Sequence, residues 1–69
     1  MQWHSIHSSA YCETEDGTVF MIYRDCSGSD TDGMWKLRYR APEESWTYGM
    51  FFVDITDAMR YARYIATGE

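Results

Sequence analysis

The apolar positions near the C-terminal end of the chain repeat with the period of a helix. Ile55, Ala58, Met59, Ala62, Ile65 and Ala66 fall at i, i+3, i+4 and i+7 spacings, which gathers them on one side of a 3.6-residue turn. The spacing predicts a helix within residues 54–69. Asp54 is its N-cap, Asp57 stands three positions on, where a carboxylate reaches back to the cap, and Gly68 is the left-handed residue that ends it. Arg60 and Arg63 lie toward the later turns, which suits the negative end of the macrodipole. Tyr61 and Tyr64 flank the stripe, where rings pack on a sheet and leave their hydroxyls at the rim.

Upstream the period falls to two. Residues 34–40, MWKLRYR, alternate most cleanly, with Trp35, Leu37 and Tyr39 on one face and Lys36, Arg38 and Arg40 on the other. The aromatic set is assigned to the helix side. Residues 18–25, TVFMIYRD, form a nearly continuous apolar run that predicts the best-buried strand. Residues 2–8 alternate less cleanly but read as a strand, and residues 10–14 continue extended into the turn signal Glu15-Asp16-Gly17. Residues 26–33, CSGSDTDG, are a long loop without an apolar anchor, and residues 41–45, APEES, are a turn holding the sole proline. Residues 46–53, WTYGMFFV, are the last strand, in which a bulge at Gly49 is able to switch the inward-facing set midway. The predicted architecture is α+β: an antiparallel meander of about four strands with the one C-terminal helix packed on one face, as a single domain over residues 1–69.

Composition narrows the function. A chain of 69 residues buries only about 60% of the surface it exposes when unfolded, so the core is thin and large Trp, Tyr, Phe and Met side chains must fill it. Little volume remains for an enclosed active-site cavity, and a non-enzymatic role without cofactor is expected. Residues 1–13 hold neither a basic n-region nor an apolar h-region, and no long apolar run occurs, which predicts a soluble protein of the cytoplasm. Cys12 and Cys26 are too few for a disulfide scaffold; in a hairpin turning at Asp16-Gly17, Cys12 faces a residue near Phe20 while Cys26 lies beyond the far end.

Motifs for chemistry fail on inspection. Asp30-Thr31-Asp32-Gly33 resembles the middle of a calcium loop, but that register puts Gly28 at position one and Tyr39 at position twelve, where Asp and Glu are required. His4, His7, Cys12 and Cys26 make no zinc spacing, because H-x₂-H on a strand sends the imidazoles to opposite faces. The glycines form no phosphate loop.

Charge carries more information. Eleven Asp and Glu against six Lys and Arg give a net charge of −5, which favours a basic partner. In a meander, Glu13, Glu15 and Asp16 at the first turn share one end of the sheet with Glu43 and Glu44 at the third, about 10 Å away across two strand spacings. Asp25, Asp30, Asp32, Asp54 and Asp57 collect at the other end, where capping and the helix dipole give them a structural reason. The leading expectation is a protein-binding inhibitor that presents Glu13, Glu15, Asp16, Glu43 and Glu44, with Trp46 and Tyr48 as aromatic anchors, to a basic nucleic-acid-binding surface. Such a molecule is expected to act as a monomer and to touch no nucleic acid itself. The alternative is a single-stranded nucleic-acid binder using Arg24, Lys36, Arg38 and Arg40 on the open sheet face.

In size, acidity and absence of catalytic groups, the chain resembles the very small inhibitor proteins of bacterial viruses, notably anti-CRISPR proteins. Some of these act as DNA mimics or plug the nucleic-acid site of a CRISPR effector complex. The resemblance covers the whole chain as a class and rests on no shared motif, so it carries over no residue. It implies a partner in the bacterial host cell.

Overall fold

The computed structural model describes residues 2–68. Five strands, β1 (His4–Ile6), β2 (Ser9–Glu13), β3 (Val19–Arg24), β4 (Trp35–Arg40) and β5 (Met50–Phe52), precede one helix, α1 (Ile55–Thr67). The sheet is antiparallel throughout and its strands lie in sequence order, so every connection is a simple turn back. This is the expected α+β meander with one more strand than the four read from the pattern. The extra one comes from residues 2–14, where Ile6 pairs with Ser9 across His7-Ser8 and the segment folds back on itself. Of the two turn residues only His7 has positive φ, 55°. A turn of that kind normally takes Gly at this position, which is why the sequence carries no visible break there.

The β2–β3 hairpin turns where Asp16-Gly17 predicts. Gly17 N–H donates to Thr14 O at 3.0 Å, and Gly17 takes φ 92°. The register sets Cys12 opposite Phe20, as the hairpin reading requires, and both cysteines are free, Cys12 buried and Cys26 exposed.

The helix crosses β3, β4 and β5. Phe20, Ile22, Leu37, Ala58 and Ala62 form the buried core, with Trp35, Tyr39, Phe52, Ile55, Met59 and Ile65 packed around it. The assignment of Trp35, Leu37 and Tyr39 to the helix side therefore holds. The central strand β3 supplies two fully buried side chains, Phe20 and Ile22, in keeping with its apolar run. Ala58 and Ala62 let the helix axis approach the sheet closely, while Ala66, the last member of the stripe, stays exposed.

The helix ends differ in how they are closed. Gly68 takes φ 80° and its N–H donates to Tyr64 O at 2.7 Å, the single-bond left-handed closure expected of it. Asp54 has the extended N-cap backbone but its carboxylate makes no capping bond. Asp57 pairs instead with Arg60 at 3.7 Å, and no basic residue occupies the last turn. Tyr61 packs on Phe52 with ring centroids 5.7 Å apart, whereas Tyr64 is largely exposed. Glu69, the last residue of the predicted helical stretch, lies outside the described residues.

Candidate functional site

Cross-strand partners share a sheet face, so the register alone sorts the side chains. Lys36 pairs with Tyr23 and Phe51, Arg38 with Met21, and Arg40 with Val19. The next strand out adds Tyr11 opposite Met21, and β1 adds His4 opposite Tyr11. All of these lie on the face away from α1. Arg24 does not: it pairs with Trp35, a helix-side residue, and its guanidinium carbon stands 5.3 Å from the Trp35 ring. The grouping of Arg24 with the β4 cations is therefore corrected. A strand of six residues with Phe20 and Ile22 inward carries Arg24 on the same parity.

Each β4 cation engages the chain that follows. The Lys36 ammonium stands 5.3 Å from the Phe51 centroid, and the Arg40 guanidinium 5.6 Å from that of Trp46. Arg38 Nε donates to Thr47 O at 3.0 Å. None of these contacts neutralises charge. Among the described residues the one ion pair is Asp57–Arg60, on the helix, and Glu13 is the only carboxylate that a strand places on the open face. Arg40 Nε is also buried without a hydrogen-bond partner.

The segment before β5 departs from the predicted strand. Residues 46–49 are not in the β5 ladder, yet Thr47 N–H donates to Tyr39 O at 2.9 Å and Tyr39 N–H to Thr47 Oγ1 at 3.1 Å. Leu37 faces Met50, so Tyr48 and Gly49 together oppose Arg38 alone. That two-against-one count is a β-bulge at the position the glycine suggests. Beyond it Phe52 and Met50 belong to the helix-side set and Phe51 to the open face. Tyr48 is 97% exposed and Trp46 37%.

The two turn tips that carry Glu15, Asp16, Glu43 and Glu44 meet through Gly17 and Pro42. A Cβ built on Gly17 would stand 3.2 Å from Pro42 Cγ, so the β2–β3 tip and the β4–β5 connection abut, more closely than a two-strand spacing predicts. Glu13, Glu15, Asp16, Glu43 and Glu44 are all exposed, and none makes an ion pair among the described residues. Asp16 has a structural task as well: its carboxylate accepts from the Thr14 hydroxyl and from Thr18 N–H at 3.0 Å. Those bonds, the Thr14 hydroxyl foremost, hold its carboxyl below the usual carboxylate value. Glu13, Glu15 and Asp16 also line an open groove of about 670 Å³ between this tip and the end of α1, with Cys12 and Ile65 along it.

Glu43 is unusual. Glu44 N–H donates to Ala41 O at 3.1 Å, closing a turn with Pro42 second and Glu43 third, and Glu43 has φ 64°. That position of a type II turn is normally glycine or asparagine.

At the opposite end, residues 26–33 are organised around Asp25. Its carboxylate accepts from the Thr31 and Ser27 hydroxyls, the latter at 3.0 Å, while Asp32 accepts from Gly28 N–H at 3.1 Å. The Thr31 hydroxyl is the main cause of a lowered Asp25 carboxyl, with a smaller contribution from the charge of Lys36. These aspartates bond to their own loop, and no group of three or more His, Cys, Asp and Glu suited to a metal occurs among the described residues. His4 stacks on Tyr11 at 5.1 Å, on the face opposite buried Cys12, which separates the paper zinc ligands.

Together these features define a small α+β domain with one open, cationic and aromatic sheet face and an acidic rim at the adjoining turns. No known protein family, curated protein or solved structure matches the chain. No helix among the described residues is long and apolar enough to cross a membrane.

Proposed function

We propose that the domain binds single-stranded nucleic acid on the open face of its sheet. The observation that carries this reading is the row Lys36, Arg38 and Arg40, set among Tyr11, Tyr23, Phe51 and Trp46, with no carboxylate of the described residues within ion-pair distance and Asp25 acting on Lys36 only at longer range. Cations without an ion-pair partner attract phosphate, and aromatic rings stack unpaired bases of any sequence. Net charge argues the other way over long distances. At physiological salt, however, fields are screened within about 8 Å, so the local face decides the contact. The acidic turns then act as a boundary that limits the strand to the centre of the sheet.

The test is fluorescence anisotropy of labelled single-stranded and duplex oligonucleotides at low salt. Wild type binds the single strand more tightly than the duplex, and the charge reversal K36E/R38E/R40E abolishes binding while R60E/R63E on the helix leaves it. Absence of binding by wild type at low salt discards the proposal.

One observation favours a second reading. The tips that abut at Gly17 and Pro42 each carry exposed carboxylates, and an acidic patch drawn from the two would suit an inhibitor that occupies the basic nucleic-acid channel of another protein, a CRISPR effector complex in a bacterial cytoplasm being the case the class resemblance points to. Tyr48 and Trp46 are then the aromatic anchors beside it. Under this reading, Lys at positions 13, 15, 16, 43 and 44 abolishes capture of the effector, and wild-type capture is lost as salt is raised.

A further inference from the structure

The bulge before β5 does more than end a strand. Phe51 and Trp46 are five residues apart, an odd separation that in a regular strand would send them to opposite faces. The extra residue at Tyr48-Gly49 restores the parity, so that Phe51 stands beside Lys36 and Trp46 beside Arg40 on one face. Two rows result. Cations at every second position of β4 run beside aromatic residues of the neighbouring segment, and Tyr48, 97% exposed, lies between Trp46 and Phe51 in the chain, directly after Thr47, whose carbonyl Arg38 holds.

Resting on the nucleic-acid reading, we infer that one strand lies along β4 with three successive phosphates on Lys36, Arg38 and Arg40, and that its bases turn toward β5 onto Phe51, Tyr48 and Trp46. Alternate residues of a strand repeat every ~6.6 to 6.8 Å, a repeat of the same size as the phosphate-to-phosphate step of a nucleic-acid strand. Donors are available at each position. Among the described residues the Lys36 ammonium makes no hydrogen bond, Arg38 uses only Nε, and the Arg40 guanidinium lies over Trp46 with Nε buried and its terminal nitrogens unbonded. A guanidinium plane on an indole is itself a surface on which a base stacks. The chemistry of the ligand is thus a short, sequence-tolerant single strand, held by three phosphates.

The experiment is a salt and length titration of wild type with 5′-labelled oligothymidylates. Three phosphates on a single strand give a slope of log affinity against log salt of about −2, and affinity stops rising beyond about four nucleotides. Y48A, at a position with nothing to unfold, weakens binding by about 5- to 100-fold and leaves the salt slope unchanged. R40Q lowers the slope by about 0.7. Binding with a slope steeper than about −4, or an affinity that keeps growing along a long oligonucleotide, overturns the three-phosphate track while leaving nucleic-acid binding in place. An unchanged affinity in Y48A overturns the aromatic row. No binding at all overturns both this placement and the function on which it rests.

Discussion

The side chain of Lys36 lies across the backbone of Gly49: a Cβ at Gly49 would fall 2.0 Å from Lys36 Cε and 2.7 Å from its Cγ. Glycine is needed there for close approach and not for its backbone freedom, since Gly49 is not among the residues of positive φ. Gly49→Ala must therefore expel the Lys36 stem from its seat beside Phe51. A loss of about 1 to 2 kcal/mol is expected in urea unfolding, as for other overpacked sites. In a Lys36→Ala background the obstruction is gone. There Gly49→Ala should become neutral or stabilising, because alanine restricts the unfolded chain. A penalty that persists in the double variant would show that Lys36 is not its cause.

Glu43 invites the opposite change. Its left-handed backbone costs a residue with a side chain about 1 to 2 kcal/mol, of which glycine recovers most but gives back part as unfolded-state entropy. Glu43→Gly should accordingly stabilise the fold by about 0.5 to 1 kcal/mol, or roughly 2 to 8 °C in a domain of this size. Differential scanning calorimetry decides it, and a lower melting temperature would mean that the Glu43 carboxylate makes a compensating contribution to folding.

Why some features could be read before folding and others could not follows from how far each signal reaches. The α1 stripe, the Asp16-Gly17 turn and the alternation over Trp35, Leu37 and Tyr39 are local signals, and the structure keeps them, with Ala66 at the end of the stripe left exposed. His7 hid a turn because its left-handed backbone is tolerated by histidine without the glycine that would advertise it. Arg24 shares the parity of Phe20 and Ile22, so its helix-side position is written in β3 itself, and the grouping with the β4 cations overlooks that alternation because the run over residues 18–25 is almost continuously apolar. The open-face site divides in the same way. Lys36, Arg38 and Arg40 were legible as alternate positions of one strand, whereas the phasing of Phe51 with Trp46 depends on a bulge that only a register can reveal. A meander places the Gly17 and Pro42 turns at one end of the sheet, but how closely they approach is set by turn shapes that the pattern does not contain.

Ala62 is wholly buried on the sheet-facing side of α1, in one core cluster with Leu37, and with Ala58 it sets how near the helix lies to the sheet. A leucine there has no room and must lift the helix or displace core side chains. Ala62→Leu is expected to cost about 1 to 3 kcal/mol in chemical denaturation. The same replacement at exposed Ala66 should be nearly silent, although both positions belong to one apolar stripe. Equal losses at the two sites would contradict the helix orientation.

Acid should loosen the two ends of the sheet through Asp16 and Asp25. Both carboxyls are held below their ordinary value of 3.8, Asp16 chiefly by the Thr14 hydroxyl and Asp25 chiefly by the Thr31 hydroxyl. The folded state therefore binds a proton at each site less readily than the unfolded chain does. The resulting stabilisation is fully present above the unfolded value and is lost as pH falls through the lower folded values. Thermal melts taken from about pH 6 down to about pH 2 should show a melting temperature that is flat at first and then declines. Asp16→Asn and Asp25→Asn keep an acceptor oxygen for their hydrogen bonds but cannot ionise, so each variant should show a shallower decline than wild type. If both variants track the wild-type profile across the acid range, the lowered carboxyls make no contribution to folding.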